Sequence, residues 1–253
     1  MADTGVALSV RGLSQSYGGV HALSDVSFDV APGERLGIIG PNGAGKTTLF
    51  NSIIGQPRPT SGTVHFGDRD ITRLPTHRRA QLGLARSFQS VSLLKQLTVE
   101  ENAFIAVGGQ RRLRYRLTRP LASASSVLDE AHQLLERAGL ADRRHAFVNE
   151  LSYGEQRRFD VILTLAGSPK VFLLDEPSAG LTAEESMEIA AIEREFPKDV
   201  AVVIIDHDMD LIFTVAQRVL VLNRGRLVAS GTPDEIRDDP IVREVYLGTE
   251  AHA

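Results

Sequence analysis

The apolar residues of this chain recur at two periods, and the period changes along its length. Val26, Phe28 and Val30 alternate with Ser27 and Asp29, as a half-buried strand requires. Pro32-Gly33 then signals a turn, and Leu36-Gly37-Ile38-Ile39 is a short buried strand. Thr47 to Ile54 reads as a helix, with Gly55 placed to stop it. From about residue 98 to 166 the period is helical. Thr98-Val99-Glu100-Glu101 is a capping-box opening. Leu128, Ala131, Leu135 and Ala138 form one stripe closed by Gly139, and Phe159, Ile162, Leu163 and Ala166 form another. Beyond residue 170, Val171 to Leu174, Val200 to Ile205 and Val219 to Leu222 are continuous apolar runs. Such runs suit strands covered on both faces of a parallel sheet.

This succession predicts an α/β fold: a mostly parallel core, an N-terminal antiparallel β subdomain and an inserted helical subdomain. The expected boundaries within a single 1–253 domain are about 1–90 and 167–253 for the core and about 91–166 for the helical part. No internal repeat interrupts the pattern.

Composition narrows the chemistry. The chain has 253 residues, with 28 Lys plus Arg against 32 Asp plus Glu, a net charge of −4. That balance argues against a nucleic-acid binder working through an overall positive field. There are no cysteines, which excludes disulfides, cysteine-ligated metals and thiol catalysis. The longest apolar run, Val200 to Ile205, has six residues, whereas a spanning helix needs roughly 20. The Met1 to Gly5 start carries no secretory pattern. The expectation is a cytoplasmic protein that serves a membrane only through a partner.

Two motifs carry the chemistry. Gly40-Pro41-Asn42-Gly43-Ala44-Gly45-Lys46-Thr47 matches G-x-x-x-x-G-K-[ST] between a predicted strand and a predicted helix. Glycine lets the backbone curl so that N–H groups converge on phosphate oxygens, and the helix N-terminus adds its dipole. Lys46 is expected to reach the β- and γ-phosphates and Thr47 to ligate magnesium, with Thr48 beside it in the binding loop. The second motif, Val171 to Pro177, ends a buried strand in Asp175-Glu176, where α/β proteins place ligands. Asp175 is expected to hold magnesium through water and Glu176 to act as general base. An acidic strand end is unremarkable alone; the phosphate loop upstream gives it meaning.

A third stretch, Leu151-Ser152-Tyr153-Gly154-Glu155-Gln156, contains the capping box S-x-x-E and so starts a helix. Gly154 is not explained by that. A glycine in the first turn lets a phosphate approach backbone N–H groups.

With these motifs the chain resembles the ATP-binding cassette (ABC) ATPases over nearly its whole length. Residues 40–47 are similar to their Walker A motif, 151–156 to the LSGGQ signature and 171–176 to Walker B, in the same order. The resemblance implies a P-loop NTPase core, with ATP and Mg2+ as cofactors. It further implies that Gln89 is the Q-loop glutamine sensing metal and γ-phosphate, that His207 is the switch histidine, and that Tyr17 stacks on adenine. From sequence alone, Tyr17 is equally a partly buried core residue. Ser178 to Thr182 resembles the D-loop. Ser152, Gly154 and Glu155 would meet nucleotide bound by the opposite subunit of a head-to-tail dimer. Two departures stand out: Tyr153 replaces the first signature glycine, and Thr182 stands where the D-loop commonly has Asp.

The nearer resemblance is to the ATPases of branched-chain amino acid and related amide or urea importers. It is carried by Ala85 to Gln89, Leu97 to Asn102, Leu151 to Arg158, Asp206 to Met209 and Val245 to Gly248. It implies a homodimer or a heterodimer with a paralogous ATPase, separate transmembrane permease subunits, an extracytoplasmic solute-binding protein and no nucleic acid. The chain would then sit peripherally on the inner face of the cell membrane. Lipopolysaccharide-export ATPases share several of these features, and a non-transport ABC ATPase is the other alternative. Arg111, Arg112, Arg114, Arg116 and Arg119 fall within nine residues and read either as a solvated face or as a contact with anionic lipid or a partner.

Overall fold

Strand runs that are apolar on both sides become inner strands of a sheet. The computed structural model describes residues 5–87, 93–110, 125–194 and 196–250, so the arginine-rich stretch 111–119 lies outside the described residues. The first part of the chain holds β1 (Leu8–Tyr17), β2 (Val20–Val30), β3 (Arg35–Ile39), α1 (Lys46–Ile54), β4 (Ser61–Phe66), β5 (Arg69–Asp70), α2 (Thr76–Leu82) and β6 (Leu84–Arg86). Helices α3 (Val99–Gln110), α4 (Ser125–Arg137) and α5 (Tyr153–Thr164) follow. The chain then gives β7 (Val171–Asp175), α6 (Ala183–Arg194), β8 (Ala201–Ile205), α7 (Met209–Val215), β9 (Arg218–Asn223), β10 (Arg226–Gly231), α8 (Pro233–Asp238) and α9 (Pro240–Glu250).

Two compact units result. The first comprises Met1–Arg86, Lys170–Glu176 and Pro197–Ala253. Its larger sheet has the order β10-β9-β3-β8-β7-β6 and is parallel except where β10 pairs with β9. Every residue of β7 and β8 is buried, as expected of strands covered on both faces. Its second sheet is antiparallel, in the order β2-β1-β4-β5. There the alternation foreseen for Val26, Phe28 and Val30 puts all three inward while Ser27 faces out. One apolar cluster joins both sheets to α1, with Leu8, Val10 and Val26 packed among Ile38, Leu173 and Val203 and α1 adding Leu49, Phe50 and Ile53. Each such side chain contributes about 1.5–3 kcal/mol on burial.

Helix α1 is also fastened at its C-terminal end. Arg79 of α2 is 1% exposed, and its guanidinium donates to the carbonyls of Leu74 (2.9 Å), Thr72 (2.8 Å), Ser52 (3.1 Å) and Ile53. The last carbonyls of a helix have no partner within it, and a cation there also opposes the dipole. Burial pulls the Arg79 guanidinium down to about 10, which leaves it charged at neutral pH. Gly55 completes the cap at φ 88°, and a methyl group there would lie 2.9 Å from the Arg79 guanidinium carbon. Glycine is therefore demanded by both the backbone and the buried arginine.

The second unit is Ser87–Pro169 with Pro177–Phe196. The capping box at the start of α3 forms: Glu101 N–H donates to the Thr98 hydroxyl at 3.2 Å, and Thr98 N–H to the Glu101 carboxylate at 2.8 Å. The inward stripe of α4 differs from the expected one. Val127 is buried and Leu128 is 36% exposed, so the stripe runs Val127, Ala131, Leu134, Leu135, Ala138. Residues Pro177–Phe196 group with this unit, whereas the sequence pattern assigned them to the core. The reason is local bonding. Arg157 of α5, wholly buried, donates to the Pro177 carbonyl at 3.2 Å, and Arg158 pairs with Glu188 of α6 at 2.8 Å.

Replacing Arg79 by Met removes its hydrogen bonds to four carbonyls in the interior and should lower folding stability by about 3–5 kcal/mol. Chemical denaturation checks this; a loss below about 1 kcal/mol would mean that α1 does not depend on this cap.

Candidate nucleotide site

The loop between β3 and α1 is held open by three glycines, each for a different reason. Gly40, at φ 155°, lies so close to β9 that a methyl group would stand 2.1 Å from the Leu222 carbonyl. Gly45 caps α1 at φ 104° and would bring a methyl 2.6 Å from the Ala22 carbonyl. Gly43, at φ 78°, has nothing within 4 Å on that side and faces open space. The result is a cavity of about 470 Å3. It is lined by Asn42, Gly43, Ala44, Gly45, Lys46, Thr47 and Thr48 of the loop and helix start, by Glu176, and by Val20, His21, Ala22, Arg224 and Gly225. The β9–β10 turn is tied to this loop, since Gly225 N–H donates to the Ala44 carbonyl at 2.9 Å.

Lys46 is nearly buried, and its ammonium donates to the carbonyls of Gly40 at 2.6 Å and Pro41 at 3.2 Å. Burial pulls its pKa down, while the carboxylates of Glu176 and Asp206 work against that. Glu176 follows β7 with φ 45°, an unfavourable conformation for a residue with a side chain, and its N–H donates to the Ile205 carbonyl at 2.7 Å. The strain turns Glu176 out of the sheet and into the cavity wall. Asp175, one residue earlier, is fully buried and pairs with Arg86 at the end of β6.

His207 sits just beyond β8, with its side chain 66% exposed. Asp206, almost wholly buried, fixes that turn by accepting from the N–H groups of His207 (2.7 Å) and Asp208 (3.0 Å). Asp208 in turn caps α7. Neither His207 nor Tyr17 lines the cavity; Tyr17 is 47% exposed at the end of β1. Gln89 lies outside the described residues. On the other side of the loop the backbone of Gly40 hydrogen-bonds the Tyr246 phenol, whose burial pushes its pKa up.

The second unit carries Ser152, Gly154 and Glu155. Ser152 caps α5 by accepting from Glu155 N–H at 3.2 Å, and the Glu155 carboxylate accepts from Ser152 N–H at 2.7 Å. Burial pushes the Glu155 carboxyl up, but hydrogen bonds from Ser152 and the Arg143 guanidinium outweigh it and hold the group below the usual range. Gly154 is buried, and a methyl there would lie 2.6 Å from a Glu185 carboxylate oxygen. Packing against α6 thus gives this glycine a reason of its own. Tyr153 lies over Gly180 and donates to the Ala179 carbonyl at 3.3 Å. Thr182 caps α6: its hydroxyl accepts from Glu185 N–H at 3.3 Å, and its N–H donates to the Glu185 carboxylate at 2.9 Å. Threonine fills this role as aspartate would.

Of the residues singled out in the sequence, the structure brings the Asn42–Thr48 loop and Glu176 to one cavity and sets Asp175 against Arg86. Sequence reasoning missed Asp206, although a carboxylate at the end of a buried run was visible. It also missed Val20, His21, Arg224, Arg86 and Tyr246, which reach the site through topology alone.

A glycine-cradled loop between a buried strand and a helix, with carboxylates at the C-terminal ends of neighbouring parallel strands, defines a P-loop NTPase fold. The model of the ABC transporter family matches residues 23–179, and the chain belongs to that family. A second model, branched-chain amino acid ATP-binding cassette transporter, matches residues 226–252. The chain is 37% identical over 250 residues to the high-affinity branched-chain amino acid transport ATP-binding protein LivG of Escherichia coli K12, covering 95% of this chain and 97% of LivG. It is 35% identical over 244 residues to the lipopolysaccharide export system ATP-binding protein LptB of the same strain, covering 96% and 98%. Among solved structures, the ADP conformation of MJ1267, an ATP-binding cassette of an ABC transporter, superposes with a TM-score of 0.83 at 28% identity, covering 96% of this chain and 99% of that one.

The capping role of Thr182 is testable within this unit. Thr182→Asp should change folding stability by less than about 0.5 kcal/mol, whereas Thr182→Val should cost about 1 kcal/mol. Equal losses in urea denaturation would remove the cap as the reason for threonine.

Proposed function

We propose that the chain is the ATP-hydrolysing subunit of a bacterial importer for branched-chain amino acids or related small polar solutes. The observation that carries the reading is the convergence of the Gly43–Thr48 loop, Lys46 and Glu176 on one cavity. Loop N–H groups and the α1 N-terminus receive the phosphates of ATP, and the Lys46 ammonium is at hand for the β- and γ-phosphates. Glu176 activates the attacking water, and the strained turn that holds it out of β7 keeps it aimed. The family resemblance assigns contacts with the γ-phosphate to His207 and Gln89.

The Thr47 hydroxyl and the Asp175 carboxylate are hard oxygen donors and fit Mg2+. Among the described residues no cluster of three or more His, Cys, Asp or Glu could hold a metal by itself, which suits a cation that completes its shell with phosphate and water. When bound, Mg2+ neutralises charge on the transferring phosphoryl group.

Two copies associate head to tail, so that Ser152 and the N-terminus of α5 in one face ATP in the other and stabilise charge in trans. ATP binding closes the dimer, or a heterodimer with a paralogous ATPase, and permease subunits convert closure into transport. An extracytoplasmic binding protein supplies the solute. Among the described residues no helix is long and apolar enough to cross a membrane, in keeping with a subunit docked on the inner face. The similarity to LptB supports a second reading, an ATPase of a lipopolysaccharide-type exporter. The 226–252 match favours the importer.

Glu176→Gln should bind ATP, lose at least about 100-fold in turnover and accumulate as a dimer on size exclusion with ATP. Wild-type turnover would remove Glu176 as the base. Sharing of the site in trans is checked by mixing Lys46→Ala with Ser152→Arg protein. Mixed dimers should recover up to one working interface, and no recovery in dimers shown to be mixed would refute the head-to-tail arrangement.

A further inference from the structure

Arg86 is placed with a specificity that the proposed chemistry leaves unused. It ends β6, alongside β7, and one arm of its guanidinium contacts the Asp175 carboxylate. The other arm donates to the Asn51 side chain of α1 at 2.7 Å, and the Phe50 ring lies 6.0 Å below the guanidinium. The side chain is only 12% exposed. Its Nε is buried with no hydrogen-bond partner among the described residues. The arginine thus forgoes one hydrogen bond while Asn51 and Phe50 hold one arm of its guanidinium on Asp175.

Asp175 needs positive charge. It is fully buried, and a buried carboxylate without a compensating cation is strongly unfavourable. Glu176 and the buried Asp206 raise the local negative charge further, and both act on Lys46. A divalent cation and a guanidinium drawn to one carboxylate in a poorly screened interior repel one another.

We propose that Arg86 is a resident counter-cation for Asp175: it neutralises this carboxylate before metal arrives, competes with Mg2+ for it, and so sets the Mg2+ requirement of the nucleotide site. The inference rests on the reading of Asp175 as the metal-side carboxylate. Removing the arginine charge then makes Mg2+ bind more tightly, while a loss of mere scaffolding would leave binding unchanged or weaken it.

The test is ADP binding to the purified full chain at fixed ADP, with Mg2+ titrated and the half-saturating Mg2+ concentration read by calorimetry. Arg86→Met and Arg86→Gln should lower that concentration about 3–10-fold, and Arg86→Lys should stay near the wild type. Without Mg2+, Arg86→Met should melt about 5–10 °C below the wild type, and Mg2+ with ADP should close part of that gap. An unchanged or raised Mg2+ requirement in the neutral variants overturns the proposal. Asp175→Asn separates the underlying reading: it should raise the requirement, and no change there overturns Asp175 as the metal carboxylate whatever Arg86 does. Should the neutral variants fail to fold, NMR of the wild-type Arg86 guanidinium decides. Its rotation should be slow with ADP alone and faster once Mg2+ is added; equal rotation overturns the proposal.

Discussion

The positive end of α1 is useful to a phosphate only while the helix stays where β3 delivers it. Much of the first unit serves that constraint. At the front, Gly40 and Gly45 let the loop lie against the carbonyls of Leu222 and Ala22 with no room for a side chain. At the back, a buried arginine takes the terminal carbonyls of the helix, and Gly55 makes space for it. Between them, Leu49, Phe50 and Ile53 pack into the apolar cluster of both sheets. A charge inside the protein is tolerated here because it meets several oriented dipoles at once. The loop itself remains free of bulk on the Gly43 side, so rigidity is placed around the cavity rather than in it.

The second unit solves a similar problem with side-chain caps. α3, α5 and α6 each begin with a hydroxyl and a glutamate three residues on: Thr98 with Glu101, Ser152 with Glu155, Thr182 with Glu185. In α6 the same glutamate that closes the cap also lies against Gly154 of α5. One carboxylate therefore caps the start of α6 and packs against the first turn of α5. This gives the departures from the family pattern a physical setting. Threonine does the capping work of aspartate, and Tyr153 covers Gly180 and binds the Ala179 carbonyl.

Legibility in the sequence followed the range of the interaction. Period, caps and glycine stops are local, so the strands around Val171 and Ala201, the helix after Gly45 and the cap at Ser152 could be read directly. Contacts distant in sequence could not. The stripe of α4 was misread by one position because Val127 and Leu128 are both apolar, and only packing decides which turns inward. Residues 177–196 fall in the 167–253 stretch that the sequence pattern assigns to the core, yet they group with α5, where Arg157 and Arg158 bond to them.

Arginine shows the difficulty most clearly. In the sequence Arg78 and Arg79 are indistinguishable neighbours, but Arg78 hydrogen-bonds the Gln81 side chain at the surface while Arg79 is buried on four carbonyls. Arg86 likewise reads as one polar residue in a short strand, and the parallel pairing of β6 with β7 sets it beside the carboxylate at the strand end. A motif scan finds groups that touch ligand, because their spacing is fixed by the ligand. Groups that balance charge for those residues have no such spacing, and any strand edge that delivers a guanidinium will serve. The electrostatic support of a site is therefore legible in the fold, even where the chemistry is legible in the sequence.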